Sequence, residues 1–383
     1  MIDFYHWRKK EKFLVLEVFK EKTTGFLLSL DSEKHLFVEK IWPDFDWFQI
    51  SRRFRRHLEK WKVIVAADSS LALTQILPIK LERDADLVKS PLSGIELENL
   101  LAQTIAKVFT KCREEASLEL NIDELDAILI DNRVVNFKVD GHHVLNPVDF
   151  KAKKIEAILE ITLTNRIIFE HWKNFFNIGK TKNFFFTESA KAELFALKKA
   201  KSLPIHLLVL NSYFPSYIFK LEKVVIGEVI FRKKINWSPG IFLEKIESSL
   251  GVSPKVARKL YSLYLAGSVS SKMSRYFTSL FKIELNQFLK QLDRFKIKGG
   301  LYIDTFLPLP LSFPRRRNQV SFNPLPFKDL VNKLGFKIRS HLPWKDEEAL
   351  KHLAPFFEFY YNKEDIEINH WLRRRLHWLG SQK

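Results

Sequence analysis

The chain has 383 residues, enough for two to four domains with a real core. Hydrophobic residues make up 46% and charged residues 28%, a balance that excludes an intrinsically disordered chain. Lys and Arg number 63 against 45 Asp and Glu, and the net +18 favours acidic partners: an anionic membrane face, an acidic protein tail or nucleic acid.

Glycine gives the sharpest exclusion. There are only 12, with one adjacent pair, Gly299–Gly300. Phosphate-binding loops need glycine so that the backbone can turn and approach the phosphates. No G-x-G spacing occurs, so a dinucleotide fingerprint is absent, as is a Walker A loop. The single cysteine, Cys112, excludes a disulfide framework and a cysteine zinc site, and fits a reducing compartment. No apolar run reaches the roughly 18 residues of a spanning helix. Met1 to Glu11 is charged and aromatic, so no secretory leader is expected.

In chain order, residues 13–42 read as a three-stranded meander: Phe13–Phe19, Phe26–Leu30 and His35–Trp42. Residues 44–60 read as an amphipathic helix with Arg52, Arg53, Arg55 and Arg56 on its wet face. Lys62–Ala67 is a short buried strand, and Asp68-Ser69-Ser70 a turn rather than a nucleophile site. A second unit begins near Leu77. Ser93 is an N-cap with Glu96 at capping-box spacing, and its helix runs to about Glu115. Leu125–Ile130, Val134–Val139 and Ile155–Leu163 are strands, with a turn at Asp140-Gly141. His142 and His143 are turn residues without the carboxylates or cysteines that a metal site needs.

Residues 165–202 read as helix, short strand and helix. Pro204–Leu210 is a strand, and Tyr217–Leu221 with Val224–Lys233 a hairpin. Pro239–Leu250, Pro254–Ala266 and Met273–Leu292 are helices, the first two opened by proline. Lys296–Tyr302 is a strand carrying the glycine pair. Residues 303–326, with five prolines and Arg315–Arg317, read as a loop. Phe327–Leu334 is helical, Phe336–Ser340 a strand, and Asp346–Tyr361 partly helical.

The C-terminal stretch is amphipathic as a helix. Ile368, Trp371, Leu372, Leu376, Trp378 and Leu379 are its apolar residues, and the last five share an arc of about 160° at 100° per residue. Arg373 and Arg374 fall opposite, and Arg375 falls inside the arc and snorkels. This pattern suits a helix lying in a membrane interface, with a second contact or self-association to strengthen it. The alternative is a terminal helix docked on its own domain.

The order of elements resembles FtsA, the actin-like cell-division family, and more distantly the pilus protein PilM. Val139-Asp140-Gly141-His142-His143-Val144-Leu145-Asn146-Pro147 and Ile155–Ile161 are similar to the turn and strand of the domain inserted into the first FtsA lobe. Ser90–Leu101 is similar to the start of that domain's helix. Ser238-Pro239-Gly240 and Ala257-Arg258-Lys259-Leu260-Tyr261 are similar to a stretch of its second lobe, and Gly299-Gly300 takes the place of its adenosine-binding glycines.

The resemblance implies an α/β, actin-like (ribonuclease H-like), two-lobed fold with an inserted strand-helix-strand domain. Its parts are 1–77 and 165–202 for the first lobe, 78–164 for the insert, 203–361 for the second lobe and 362–383 for the membrane-binding helix. It also implies a scaffold that is cytoplasmic and peripheral on the inner face of the cell membrane. That scaffold self-associates and tethers an FtsZ-like division filament, whose acidic tail would meet Lys282, Lys290, Arg294 and Lys296.

The departures from the pattern concern the nucleotide. The first phosphate turn falls at Glu17-Val18-Phe19-Lys20, where Glu17 substitutes for the usual Asp and phenylalanine for glycine. The second falls at Leu210–Tyr217 and has neither carboxylate nor glycine. Arg258 and Tyr261 replace a Glu and a Lys. Of an ATP site, Gly299, Gly300 and Glu17 are what remain. No catalytic residue, no metal and no cofactor is expected, and the chain reads as a pseudo-ATPase.

Three alternatives stand beside this reading: a PilM-like pilus or secretion scaffold, a nucleic-acid-binding protein, and an ATPase with atypical ligands. No nucleic-acid motif occurs and the aromatics sit at core spacing, so nucleic acid is not the expected partner.

Overall fold

The computed structural model describes residues 10–45, 60–84, 86–178, 184–212, 215–225, 227–305, 307–340, 352–361, 369 and 371–372. The expected helix with Arg52–Arg56 lies outside them. The chain divides into two compact units, one of Met1–Ser202, Glu222–Ile230 and Phe327–Lys383, the other of Leu203–Leu221 and Phe231–Pro326.

The first unit opens with the meander β1 (Glu11–Val18), β2 (Thr23–Leu30) and β3 (His35–Trp42), then β4 (Lys62–Ala67). β1 pairs antiparallel with β2 and parallel with β4. β1 is buried on both faces, so it reads as a continuous apolar run. Leu14, Leu16 and Val18 share one core cluster with Val63, Val65 and Trp172; Phe13 and Val15 share another with Ile64 and Phe356.

The chain then leaves this sheet. β5 (Ala72–Glu82), α1 (Gly94–Leu120), β6 (Ala127–Val139), the two-residue β7 (His142–His143) and β8 (Lys154–Asn165) build a separate sheet of order β5-β8-β6-β7. This is the expected insert, beginning a few residues earlier than 78. Ser93 caps α1 by accepting the Glu96 N–H at 3.1 Å. Glu96 does not reach back to the cap, because buried Arg83 holds it in a two-pronged pair at 2.7 and 2.9 Å. The two strands expected between 125 and 139 are one strand, broken in register at Leu129/Asp131 and Val135/Lys138. Asn136 sits at the second irregularity with φ +58°, a left-handed conformation that asparagine tolerates.

α2 (Arg166–Ile178), β9 (Phe184–Glu188) and α3 (Ser189–Ala200) return the chain to the first sheet, where β9 pairs parallel with β4. The strand order so far is β3-β2-β1-β4-β9.

The second unit repeats that plan. β10 (Ile205–Leu210), β11 (Ser216–Lys223) and β12 (Glu228–Ile235) lead to α4 (Ile241–Leu250), α5 (Pro254–Leu265) and α6 (Ser271–Asp293). β13 (Gly299–Thr305) pairs parallel with β10, and β15 (Val320–Pro324) parallel with β13. Their order, β12-β11-β10-β13-β15, is the same 3-2-1-4-5 arrangement as in the first unit. An aromatic layer of Phe242, Tyr261, Tyr264, Phe277 and Phe281 joins its three helices. The proline-rich segment is not wholly loop: β14 (Arg316–Arg317) and β15 form a tight hairpin there. Two units on one ribonuclease H-like sheet plan, with a domain inserted in the first, are the actin-like fold.

One boundary differs. Residues 327–361 belong to the first unit, not to a second lobe running to 361. α7 (Phe327–Lys333) and α8 (Ala354–Tyr361) pack Val331, Leu334, Phe356 and Phe357 against Phe13 and Val15. β16 (Lys337–Ser340) extends the first sheet parallel to β3. Aromatic density drives this return, since Phe336 meets Phe356, Phe357, Tyr360 and Tyr361.

Candidate functional site

In open α/β sheets, ligands gather at the carboxyl ends of parallel strands. In the first unit those ends present Glu17 on β1, Asp68 after β4, and Thr187 and Glu188 on β9. All four are buried. The register places Glu17, Ala66 and Thr187 side by side on one face, and Val18, Ala67 and Glu188 on the other.

Each of these groups has a partner within the unit. Glu17 pairs with His352, whose ring stacks on Phe26 with centroids 5.0 Å apart. Asp68 accepts the Ser70 N–H at 2.8 Å, which closes the expected turn. Glu188 accepts the Thr74 N–H at 2.7 Å and so ties β9 to the insert. Thr187 donates to Glu358 at 2.6 Å. Buried Lys191, on the first turn of α3, joins Glu358 at 3.2 Å and Glu160 on β8. Burial alone would lower the Lys191 pKa, but Glu160 and Glu358 outweigh it and raise the pKa above the usual lysine value.

The β1–β2 turn has no glycine. It is closed by a Phe19 N–H to Lys22 carbonyl bond at 2.9 Å. This end of the sheet is a layer of salt links and hydrogen bonds that pins three substructures together.

In the second unit the matching turn follows β10. Asn211 spans it by donating to the Pro215 carbonyl at 2.7 Å, while Tyr213 and Phe214 lie outside the described residues. Gly299 and Gly300 do not join this turn. Leu210 at the carboxyl end of β10 pairs with Thr305, whereas Gly299 and Gly300 open the amino end of β13 and pair with Val320 and Ser321. Five residue steps along the strand, about 17 Å, separate Gly300 from Thr305. Gly299, at φ +86°, makes the bend into the strand. Tyr261 is also a core group, its hydroxyl donating to the Pro308 carbonyl at 2.6 Å. Arg258 is exposed.

Lys282, Lys290, Arg294 and Lys296 are all exposed, on α6 and just after it. The core-facing side of α6 is marked by buried Phe277, Phe281, Phe288 and Leu292.

Of the residues expected to meet the membrane, Trp371 and Leu372 are described. Leu372 is fully buried in the core of the insert, among residues that include Leu101, Ile105, Leu159 and Ile161. Trp371 packs on the same cluster. Leu372 thus lies in the chain's own interior, and Trp371 is half-buried against it. Ile368, Arg373, Arg374, Arg375, Leu376, Trp378 and Leu379 lie outside the described residues. Among the described residues, no helix is long and apolar enough to cross a membrane, and no group of three potential metal ligands occurs.

Sequence reasoning missed His352, Lys191, Glu358 and Asn369. Only Lys191 left a trace, a lysine within the small apolar run Ala190, Ala192, Leu194 and Ala196.

No family model and no curated relative matches the sequence. Solved structures similar to the chain include the PilM–PilN type IV pilus biogenesis complex, with 12% identity, 90% of this chain and 95% of that one covered, and a TM-score of 0.44. Another is the cytoplasmic domain of EpsL, an inner-membrane component of the type II secretion system of Vibrio cholerae (10% identity, 84% and 94% covered, TM-score 0.33). A third is MreB 5 of Spiroplasma citri bound to AMPPNP (8% identity, 96% and 98% covered, TM-score 0.34).

Proposed function

We propose that this chain is a non-catalytic, actin-fold scaffold for a membrane-associated assembly of the pilus or secretion kind. The observation that carries the loss of catalysis is the Glu17–His352 pair. A magnesium-phosphate turn needs that carboxylate free and glycine beside it. Here the carboxylate is engaged by the chain itself, and Phe19 and Lys22 close the turn. Fold does not oblige chemistry, and the sheet plan survives without the site.

The seat of Leu372 bears on the kind of assembly. A division scaffold of the FtsA type would spend this tail on lipid, while a pilus or secretion scaffold has no such need. The exposed Lys282, Lys290, Arg294 and Lys296 would then receive an acidic segment of a partner, and self-association would multiply weak contacts.

Calorimetric titration of the full chain with ATP in magnesium buffer tests the central part. The scaffold reading expects no binding heat at millimolar nucleotide. Saturable, magnesium-dependent binding at micromolar ATP would overturn it and restore the ATPase alternative.

A further inference from the structure

The end of α6, the start of β13 and the β14–β15 hairpin line a half-open cavity of about 350 Å³ within the second unit. Its floor is apolar. Leu292 and Leu301 are buried there, and Ile297, Val320 and Phe322 half-buried. Its mouth carries Asp293, Lys296, Lys298, Arg317, Asn318 and Gln319.

The charges at the mouth are not equivalent. Arg317 closes on Asp293, with Nη2 at 2.8 Å from Oδ2 and Nε at 3.3 Å from both oxygens. Asn318 adds a bond at 3.4 Å to the same carboxylate. The one acidic lining residue is thereby neutralised. Lys296 and Lys298 are exposed and, among the described residues, have no ion pair. An apolar chamber with two uncompensated ammonium groups at its rim complements an anion with an apolar body.

The backbone supplies an independent observation. Lys296 has φ +50°, in the left-handed region, three residues after α6 ends at Asp293. Helix-terminating residues in that region are usually glycine and sometimes asparagine. The same unit follows this rule at Gly251 (φ +63°) after α4 and Gly267 (φ +67°) after α5. Beyond the Arg294 cap of α6 the left-handed residue is a lysine, in a conformation its β-carbon disfavours.

We propose that this cavity binds an amphipathic anion. The apolar body enters the chamber, and the carboxylate or phosphate is held by Lys296 and Lys298. The volume is near the lower end of the roughly 300–1,000 Å³ of small-molecule sites. Two sources share this chemistry: a free medium-chain carboxylate, and the head group and acyl chain of an anionic lipid. The site does not depend on the scaffold reading or on the state of the nucleotide turns.

The test is displacement of anilinonaphthalene sulfonate from the full chain by decanoate, with decanol as the neutral comparison. Saturable displacement by decanoate and not by decanol is expected. Lys296→Gly should weaken decanoate by about tenfold through the lost charged contact, and at the same time raise the melting temperature by relieving the left-handed backbone. A purely structural lysine would not separate those two readouts. Lys298→Gln should also weaken binding, and Lys282→Gln, further back on α6, should not. Val320→Trp should fill the chamber; if that variant does not fold, the lysine variants still decide. Phosphatidylglycerol vesicles that capture the chain in competition with decanoate identify lipid as the source. Decanoate binding without vesicle capture identifies the free anion. No saturable binding of either, equal displacement by decanol, or unchanged affinity in Lys296→Gly overturns the proposal.

Discussion

Asn369 clamps Val134. Its side-chain carbonyl accepts the Val134 N–H at 2.8 Å, and its amide donates to the Val134 carbonyl at 3.2 Å. A single side chain thus satisfies both backbone groups of a β6 residue, as a neighbouring strand would. The residues are 235 apart in sequence, and both are buried. With Leu372 in the core of the insert, Asn369 and Leu372 are integral to the inserted domain.

Removing the clamp should loosen the insert. Asn369→Ala leaves two buried backbone groups unpaired, at a cost of about 1–3 kcal/mol. Leu372→Ala should cost about 2–5 kcal/mol through the cavity it leaves. Denaturant titration of both variants checks this. Midpoints equal to that of the parent would mean that the tail contributes nothing to the fold.

Lys191 should be the most sensitive charge in the first unit. Lys191→Met removes one counter-charge from Glu160 and buried Glu358, and about 3–5 kcal/mol of stability should be lost at neutral pH. Adding Glu358→Gln to Lys191→Met should recover part of that loss. Because the folded pKa of Lys191 is raised, its contribution is complete below the ordinary lysine value. It falls only as pH rises through the higher folded value. Melting curves should therefore show the Lys191→Met penalty as constant from pH 6 to 9.

Cys112 should report opening of the insert. Burial, and then the nearby Glu115, push its thiol up to about 12. The thiolate that reacts with alkylating or disulfide reagents is scarce at pH 8. Native protein should label orders of magnitude more slowly than unfolded protein. Asn369→Ala should label faster than the parent, and equal rates would separate the clamp from the stability of α1.

The Arg317–Asp293 pair should matter at neutral pH and not in acid. The Arg317 hydrogen bonds hold the Asp293 carboxyl below the usual carboxylate value. The stability this gives is present above the unfolded pKa and is lost as pH falls through the lower folded one. Both groups are about a third or more exposed, so Arg317→Ala should cost no more than about 1 kcal/mol at pH 7. At pH 2 the variant and the parent should melt together.

Much of this architecture was legible in local pattern. The meander, the capped helix at Ser93 and the three helices from 241 to 293 each follow from apolar spacing with a cap or proline beside it. The boundary at 361 was not legible, because pairing of β16 with β3 joins residues some 300 apart and leaves no local signature. The single strand β6 read as two because its irregularities interrupt the alternation. The glycine pair is ambiguous in sequence, since adjacent glycines mark a sharp bend as readily as a nucleotide contact. In the tail, an amphipathic stripe of Trp and Leu has the same period whether lipid or a protein core covers it. Periodicity reports that a face is buried, and not by what.

The most direct test of where that face goes is amide hydrogen exchange of the β6 segment in the full chain, with and without phosphatidylglycerol vesicles. A tail seated on the insert predicts strong protection of the Val134 amide, unchanged by lipid. Loss of that protection when vesicles are added would mean that the tail leaves β6 for the membrane, and would contradict the docked-tail account.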